Sequence, residues 1–161
     1  MKKVLIVIII ILIVLIFAVG FMTYSVITKE KESMSAEQFK NFMEEKEYVI
    51  YDATSQYNEY EYIEKVYIAT TIDNEYKIEY YVLSDNESAK YFYSINKNIF
   101  ENSKSTSVVE TNNTISNYSK YTLNSNDKYM VISRINNTAI YVNANEEYKN
   151  VIKDLLKEIN Y

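Results

Sequence analysis

The sequence predicts an α+β fold: a single N-terminal transmembrane helix, then a small domain in which an antiparallel sheet carries amphipathic helices on one face. Three observations predict it. Residues 4–22 read VLIVIIIILIVLIFAVGFM, without a charge. Beyond them, β-branched and aromatic runs recur in pairs about Asx turns, the pattern of antiparallel hairpins. After each pair lies a segment whose apolar residues return at i, i+3 and i+4, the period of a helix with one buried stripe.

Taken in order, the first element is the apolar run. As a helix it rises about 29 Å, close to the hydrocarbon thickness of a bilayer. A cleaved signal peptide is the rival, because Lys2 and Lys3 precede the run and Ala18-Val19-Gly20 offers small-x-small spacing for cleavage after Gly20. The run continues through Phe21 and Met22, and that length favours a retained signal anchor. With no cysteine in the chain, a lipoprotein is excluded. The two lysines place residues 1–3 in the cytoplasm as a stub and everything beyond the run outside. Thr23 to Met34 is a short charged tether, and residues 35–161 form the extracytoplasmic domain.

That domain opens with a capping box, Ser35 with Gln38, followed by Phe39, Phe42 and Met43 on one stripe of a helix ending near Lys46. Tyr48 to Asp52 reads as a strand, and Asn58 to Tyr62 as a polar loop. Lys65 to Leu83 is a hairpin about Asp73-Asn74, since Asn and Asp tolerate the left-handed conformation that a two-residue turn needs. Ser84 to Glu87 is a second capping box, and the helix after it lines up Ala89, Phe92, Tyr93, Ile99 and Phe100, with Asn96 an odd polar member of that stripe. Residues 102–105 link to strands at Thr106–Thr111 and Tyr118–Leu123, with a turn at Asn124–Asp127. Lys128 to Val142 is a hairpin about Asn136-Asn137. The closing helix, residues 146–160, aligns Tyr148, Val151, Ile152, Leu155, Leu156 and Ile159, with Asn143 or Asn145 as its cap. The hairpins at residues 65–75 and 128–138, each followed by a helix, suggest a ββα internal repeat.

Composition narrows the chemistry. The chain has 18 tyrosines but one glycine and no proline, histidine, cysteine or tryptophan. The favoured residues have AT-rich codons, which points to an AT-rich bacterial genome and makes codon bias the plain source of many tyrosines. Without His and Cys, Ser-His-Asp and Cys-His catalysis and the usual zinc sites are excluded. Two S-x-x-K matches, at Ser94 and Ser125, lack the element order of penicillin-binding enzymes. Glu59, Glu61 and Glu64 lie in or beside a solvated loop, a poor setting for a glycosidase pair. No segment has the calcium-loop pattern, and the single glycine rules out a phosphate-cradling loop. No catalytic residue, metal or cofactor is therefore predicted.

Past the apolar run stand 15 basic and 22 acidic residues, a net of −7. That charge argues against nucleic acid and against anionic lipid headgroups as partners, because both would repel it. The expected partners are the lipid bilayer, through residues 4–22, and an envelope protein or cell-wall glycan. The class that fits is a non-catalytic, membrane-anchored domain of the bacterial cell envelope; the alternatives are a small wall-directed hydrolase using carboxylates and a subunit of a pilus-like or secretion assembly.

One stretch singles out a site. EYKIEYYVLSDNESAKYFY, residues 75–93, carries five tyrosines. Strand alternation sends Tyr76, Ile78, Tyr80 and Val82 to the helix-covered face and Glu75, Lys77, Glu79 and Tyr81 to the other. Tyr93 belongs to the helix stripe and Tyr91 does not. Tyr81 and Tyr91 are thus the candidate binding residues, joined by Tyr57, Tyr60 or Tyr67, with rings free to stack on sugars.

Overall fold

The computed structural model describes residues 11–17, 30–105 and 109–161. The chain divides into two compact units, Met1–Glu30 and Lys31–Tyr161. In the first, residues 11–17 are helical (α1) and all seven side chains are exposed. Among the described residues no helix is long and apolar enough to cross a membrane. The remainder of the 4–22 run, the cleavage site after Gly20 and most of the tether lie outside the described residues.

The second unit runs α2 (Ala36–Glu45), β1 (Val49–Asp52), a 3-10 turn (Thr54–Tyr57), β2 (Ile63–Thr70), β3 (Lys77–Leu83), α3 (Asn86–Asn102), β4 (Val109–Ile115), β5 (Tyr118–Ser125), β6 (Lys128–Ile135), β7 (Thr138–Asn145), a second 3-10 turn (Glu146–Tyr148) and α4 (Lys149–Glu158). It is α+β, with one seven-stranded sheet in the order β1-β2-β3-β7-β6-β5-β4. Every neighbouring pair is antiparallel. Residues 31–34, read from sequence as tether, pack on this unit: the Lys31 main chain exchanges hydrogen bonds with the Asn117 amide, and the Met34 carbonyl accepts from Tyr80.

Helices cover both faces of the sheet, not one. Phe39 and Met43 of α2 and Ile152, Leu155 and Leu156 of α4 bury with Tyr67, Ile78, Tyr80, Val131 and Ile140. Ala89, Phe92, Tyr93 and Phe100 of α3 bury on the reverse face with Val66, Tyr81, Leu83, Tyr121 and Ile132. The signal lay in β6: after Lys128 every residue of KYMVISRI is buried. A continuous buried run marks a strand covered on both sides, whereas alternation marks one face in water. The two ββα units are both present, but α3 and α4 lie on opposite faces of the sheet, so the hairpins repeat and the helix placement does not.

Local chemistry explains the boundaries. Ser35 forms its capping box, accepting from Gln38 N at 3.2 Å while the Gln38 side chain accepts from Ser35 N at 2.7 Å. The second helix is capped by Asp85, not Ser84: its carboxylate accepts from Ser88 N at 2.7 Å. Asn96 is explained by its donation to Phe92 O at 2.8 Å. Ile99 and Val151, assigned to buried stripes, are exposed at the stripe edges. Asn145 makes no side-chain cap bond, and α4 is instead entered through the 3-10 turn. The β2–β3 connection is six residues, 71–76, wider than a two-residue turn, with Asn74 in the left-handed region at φ 55°. Asn126 and Asp127 both take that conformation, φ 54° and 57°, which closes the β5–β6 hairpin in two residues. The strand expected over residues 106–111 is β4, which extends to Ile115; residues 106–108 lie outside the described residues.

Candidate functional site: a tyrosine-lined cleft

Where β1 ends, Asp52 organises the loop that follows. Its carboxylate accepts from Thr54 N at 3.0 Å and Thr54 Oγ1 at 2.6 Å, an Asx turn that starts the 3-10 segment. Lys65 of β2 pairs with the same carboxylate at 2.7 Å. Thr54 Oγ1 then accepts from Val66 N at 3.1 Å, and Ala53 N donates to Val66 O, which ties the loop to β2. Hydrogen bonding from Lys65, then from Thr54, holds the Asp52 carboxyl at about 2, well below the usual carboxylate range. Further on, Tyr60 N donates to Tyr57 O, Ile63 N to Tyr60 O and Ser84 N to Tyr62 O, fixing three tyrosines at two- and three-residue spacing.

These rings form one wall of a cleft of about 660 Å³. Its floor is the sheet face of β3 and β7, with Lys77, Glu79, Tyr81 and Tyr141, and its far wall is α3. The rings make an unbroken series. Tyr91 meets Tyr62 edge-on at 5.9 Å, Tyr62 meets Tyr60 at 6.0 Å, Tyr60 meets Tyr57 at 6.4 Å, and Tyr57 meets Tyr81 edge-on at 5.6 Å. Tyr81 ends the series against Phe92 at 4.5 Å. Spacings of 4.5 to 7 Å with edge-to-face angles are the favourable arrangement for aromatic pairs. A smaller depression of about 310 Å³ shares Lys77 and Asn143 with the cleft and continues it past Tyr51 and Ile68.

The cleft's polar centre is Glu79, 5% exposed. Lys77 Nζ sits 2.7 Å from its Oε1, and Tyr81 donates its hydroxyl to Oε2. The Tyr57 and Tyr81 hydroxyls are 3.1 Å apart, so Tyr57 can donate to Tyr81 in turn. Burial first, then the Glu79 charge, drives the Tyr81 hydroxyl far above the tyrosine range and keeps it a donor. The bond to Glu79 raises Lys77, which therefore stays charged. Burial, then the neighbouring Tyr91 and Tyr60, raises Tyr62. A buried carboxylate with a donor on each oxygen is satisfied.

The structure brings Tyr81, Tyr91, Tyr57 and Tyr60 to one cleft, but not in the expected manner. Tyr81 is 3% exposed, because α3 covers the face assigned to solvent. Tyr91 is 57% exposed at the rim. Tyr67 is elsewhere: it lies on the α2 face and donates to Glu37 at 2.8 Å. Sequence reasoning missed Tyr62, Glu79, Phe92 and Tyr141 as members. Glu79 was accessible to it, since alternation puts residues 79 and 81 on the same face; Tyr141 was not, because its approach depends on the β3–β7 pairing across 62 residues of chain. Among the described residues no group of three or more His, Cys, Asp and Glu side chains could hold a metal ion. The site offers flat apolar ring faces, phenolic hydroxyls and one neutralised carboxylate. No family model, no curated protein and no solved structure matches the chain.

Proposed function

We propose that this chain is a membrane-anchored, non-catalytic binding protein of the bacterial cell envelope, held by residues 4–22 with the Lys31–Tyr161 unit outside the cell, and that its tyrosine cleft takes a cell-wall glycan. The observation that carries the ligand is the ring series from exposed Tyr91 to buried Phe92. Sugar rings present flat C–H faces to aromatic rings and hydroxyls to phenols, and this cleft supplies both along an elongated track. The track's volume falls within the range of small-molecule sites, and its lining is mostly aromatic with a few convergent polar groups. Hydrolysis of a glycan needs two carboxylates flanking the bond. Among the lining residues Glu79 is the only carboxylate, with both oxygens engaged, which favours retention of the ligand over its cleavage.

The anchor rests on the uncharged run and the two lysines before it. Alkaline extraction of membranes and protease shaving of intact cells test it: a protein that resists extraction and is shaved supports the placement, and one released to the medium or protected from protease overturns it. For the ligand, full-length protein in neutral detergent is titrated with chitotetraose or soluble wall fragments. Tyr91→Ser and Tyr60→Ser each remove one exposed ring, worth about 1 kcal/mol and so roughly fivefold in affinity. Binding that is absent, or unchanged in both variants, removes the glycan assignment.

A further inference from the structure

On the sheet face opposite the tyrosine cleft, α4 and the β4–β5 end of the sheet enclose a second cleft of about 700 Å³. Five lysines line it: Lys31, Lys120, Lys149, Lys153 and Lys157. Lys149, Lys153 and Lys157 recur every four residues along α4, a ladder with steps of about 6 Å. Lys120 rises from β5 below them and donates to the Tyr161 main-chain oxygen at 2.9 Å. Lys31 lies 3.8 Å over the Tyr118 ring and donates to Asn160 O at 2.8 Å.

The concentration is not a general property of the surface, for the chain is acidic overall, at −5. Lys46, Lys65, Lys77, Lys90, Lys97 and Lys104 each pair with an Asp or Glu side chain, and among the described residues none of the five cleft lysines does, although Lys120 meets the main-chain oxygen of Tyr161. Asp154 is the only acidic side chain among the lining residues. Burial, then Lys31 and Lys153, depresses Lys120 to about 8, so the fold holds these cations together against their repulsion. An anion entering the cleft reverses that penalty.

We propose that this cleft binds a phosphate-bearing anion carrying two or more charges, gripped by Lys31, Lys120 and the α4 lysine ladder. Phosphate suits the donor set better than carboxylate does. Ammonium groups act as point charges that several can share around one phosphate, whereas bidentate carboxylate recognition calls for arginine forks. The chain's one arginine, Arg134, is not among the lining residues. Thr111 and Thr122 on the floor add hydroxyl donors. A ladder of about 12 Å in all matches a ligand with phosphates some distance apart better than a single phosphate.

The test is calorimetric titration of full-length protein in neutral detergent with inorganic phosphate and with fructose 1,6-bisphosphate. Bisphosphate should bind at least tenfold more tightly than phosphate, and more weakly as salt rises. Lys120→Met and the Lys149→Met/Lys157→Met pair should each lose tenfold or more. Lys40→Met and Lys128→Met, at lysines outside the cleft that form no ion pair among the described residues, should lose nothing. Thermal unfolding of each variant confirms that it is folded. Equal affinity for the two phosphates, retention of binding in the cleft variants, or equal loss in the controls overturns the site. Competition by micelles containing phosphatidylglycerol supports a lipid headgroup as the natural source, and undiminished binding in their presence supports a soluble phosphate ester. Because the two clefts occupy opposite sheet faces, Tyr91→Ser leaves this titration unchanged, and the site stands or falls apart from the glycan assignment.

Discussion

Tyr81→Phe removes one oxygen from the centre of the tyrosine cleft and leaves the ring in place. Packing against Phe92 and Tyr57 is retained, so the change reports on the hydroxyl alone. That hydroxyl donates to Glu79, which is 5% exposed and keeps Lys77 on its other oxygen. A hydrogen bond to a charged group contributes about 1.5 to 3 kcal/mol, most of it the cost of leaving the buried acceptor unsatisfied. For a domain of this size each kcal/mol lowers Tm by about 3 to 5 °C, so Tyr81→Phe should unfold about 5 to 15 °C below wild type. Near-ultraviolet circular dichroism on full-length protein in detergent follows the transition. Glu79→Gln removes the charge that makes the bond strong, and in a double-mutant cycle the pair should couple by about 1 kcal/mol or more. A single-variant shift within about 1 °C, or strictly additive effects, would refute the claim that Tyr81 and Glu79 form one buried polar unit.

Other expectations follow from the same geometry. Phe39→Ala and Phe100→Ala empty the cores on opposite sheet faces, so each should cost about 3 to 5 kcal/mol in chemical denaturation, and the two should add. Asp52→Ala frees the 53–62 loop from its Asx turn and from Lys65; stability should fall by no more than about 1 kcal/mol, as for other exposed pairs, while chitotetraose affinity falls markedly in calorimetry. Because Lys120 is depressed in the folded state, the unfolded chain binds the extra proton above about pH 8, and stability should rise from pH 8 towards 10 by on the order of 2 kcal/mol. Above pH 10 the sign reverses, since buried tyrosines such as Tyr129 and Tyr93, pushed up to about 12, hold protons that the unfolded chain releases. Lys120→Met should abolish the rise between pH 8 and 10 and leave the fall.

Much of the domain was legible in the sequence because its signals are local. The Ser35–Gln38 box, the turn read over Asn124–Asp127 and found at its second half, the turn about Asn136-Asn137, and the α4 stripe of Ile152, Leu155, Leu156 and Ile159 each depend on residues a few positions apart, and each formed. What escaped was long-range. Alternation in β3 correctly separated Tyr80 from Tyr81, but it could not say that α3 would return over the Tyr81 face, because that depends on β3 lying beside β7 in the centre of the sheet. The four consecutive apolar residues Tyr129 to Ile132 of β6 did carry that information. Candidate site residues were legible as to face and not as to depth: Tyr81 and Tyr91 share a cleft, yet one is its floor and the other its rim. The lysine ladder was visible as KNVIKDLLK, but its partners Lys31 and Lys120 come from segments far away in the chain, and an i, i+4 set of lysines reads as an ordinary solvated helix face until the sheet is placed beneath it.

The central claim, that the tyrosine cleft holds a glycan, is tested most directly by tyrosine fluorescence. The chain has no tryptophan, so its tyrosines are not masked. Titration of full-length protein with chitotetraose should give a saturable change in emission, and that change should be weakened roughly fivefold in Tyr91→Ser and about as much in Tyr60→Ser. A saturable change of equal midpoint in wild type and both variants, or no change in the wild type, would contradict it.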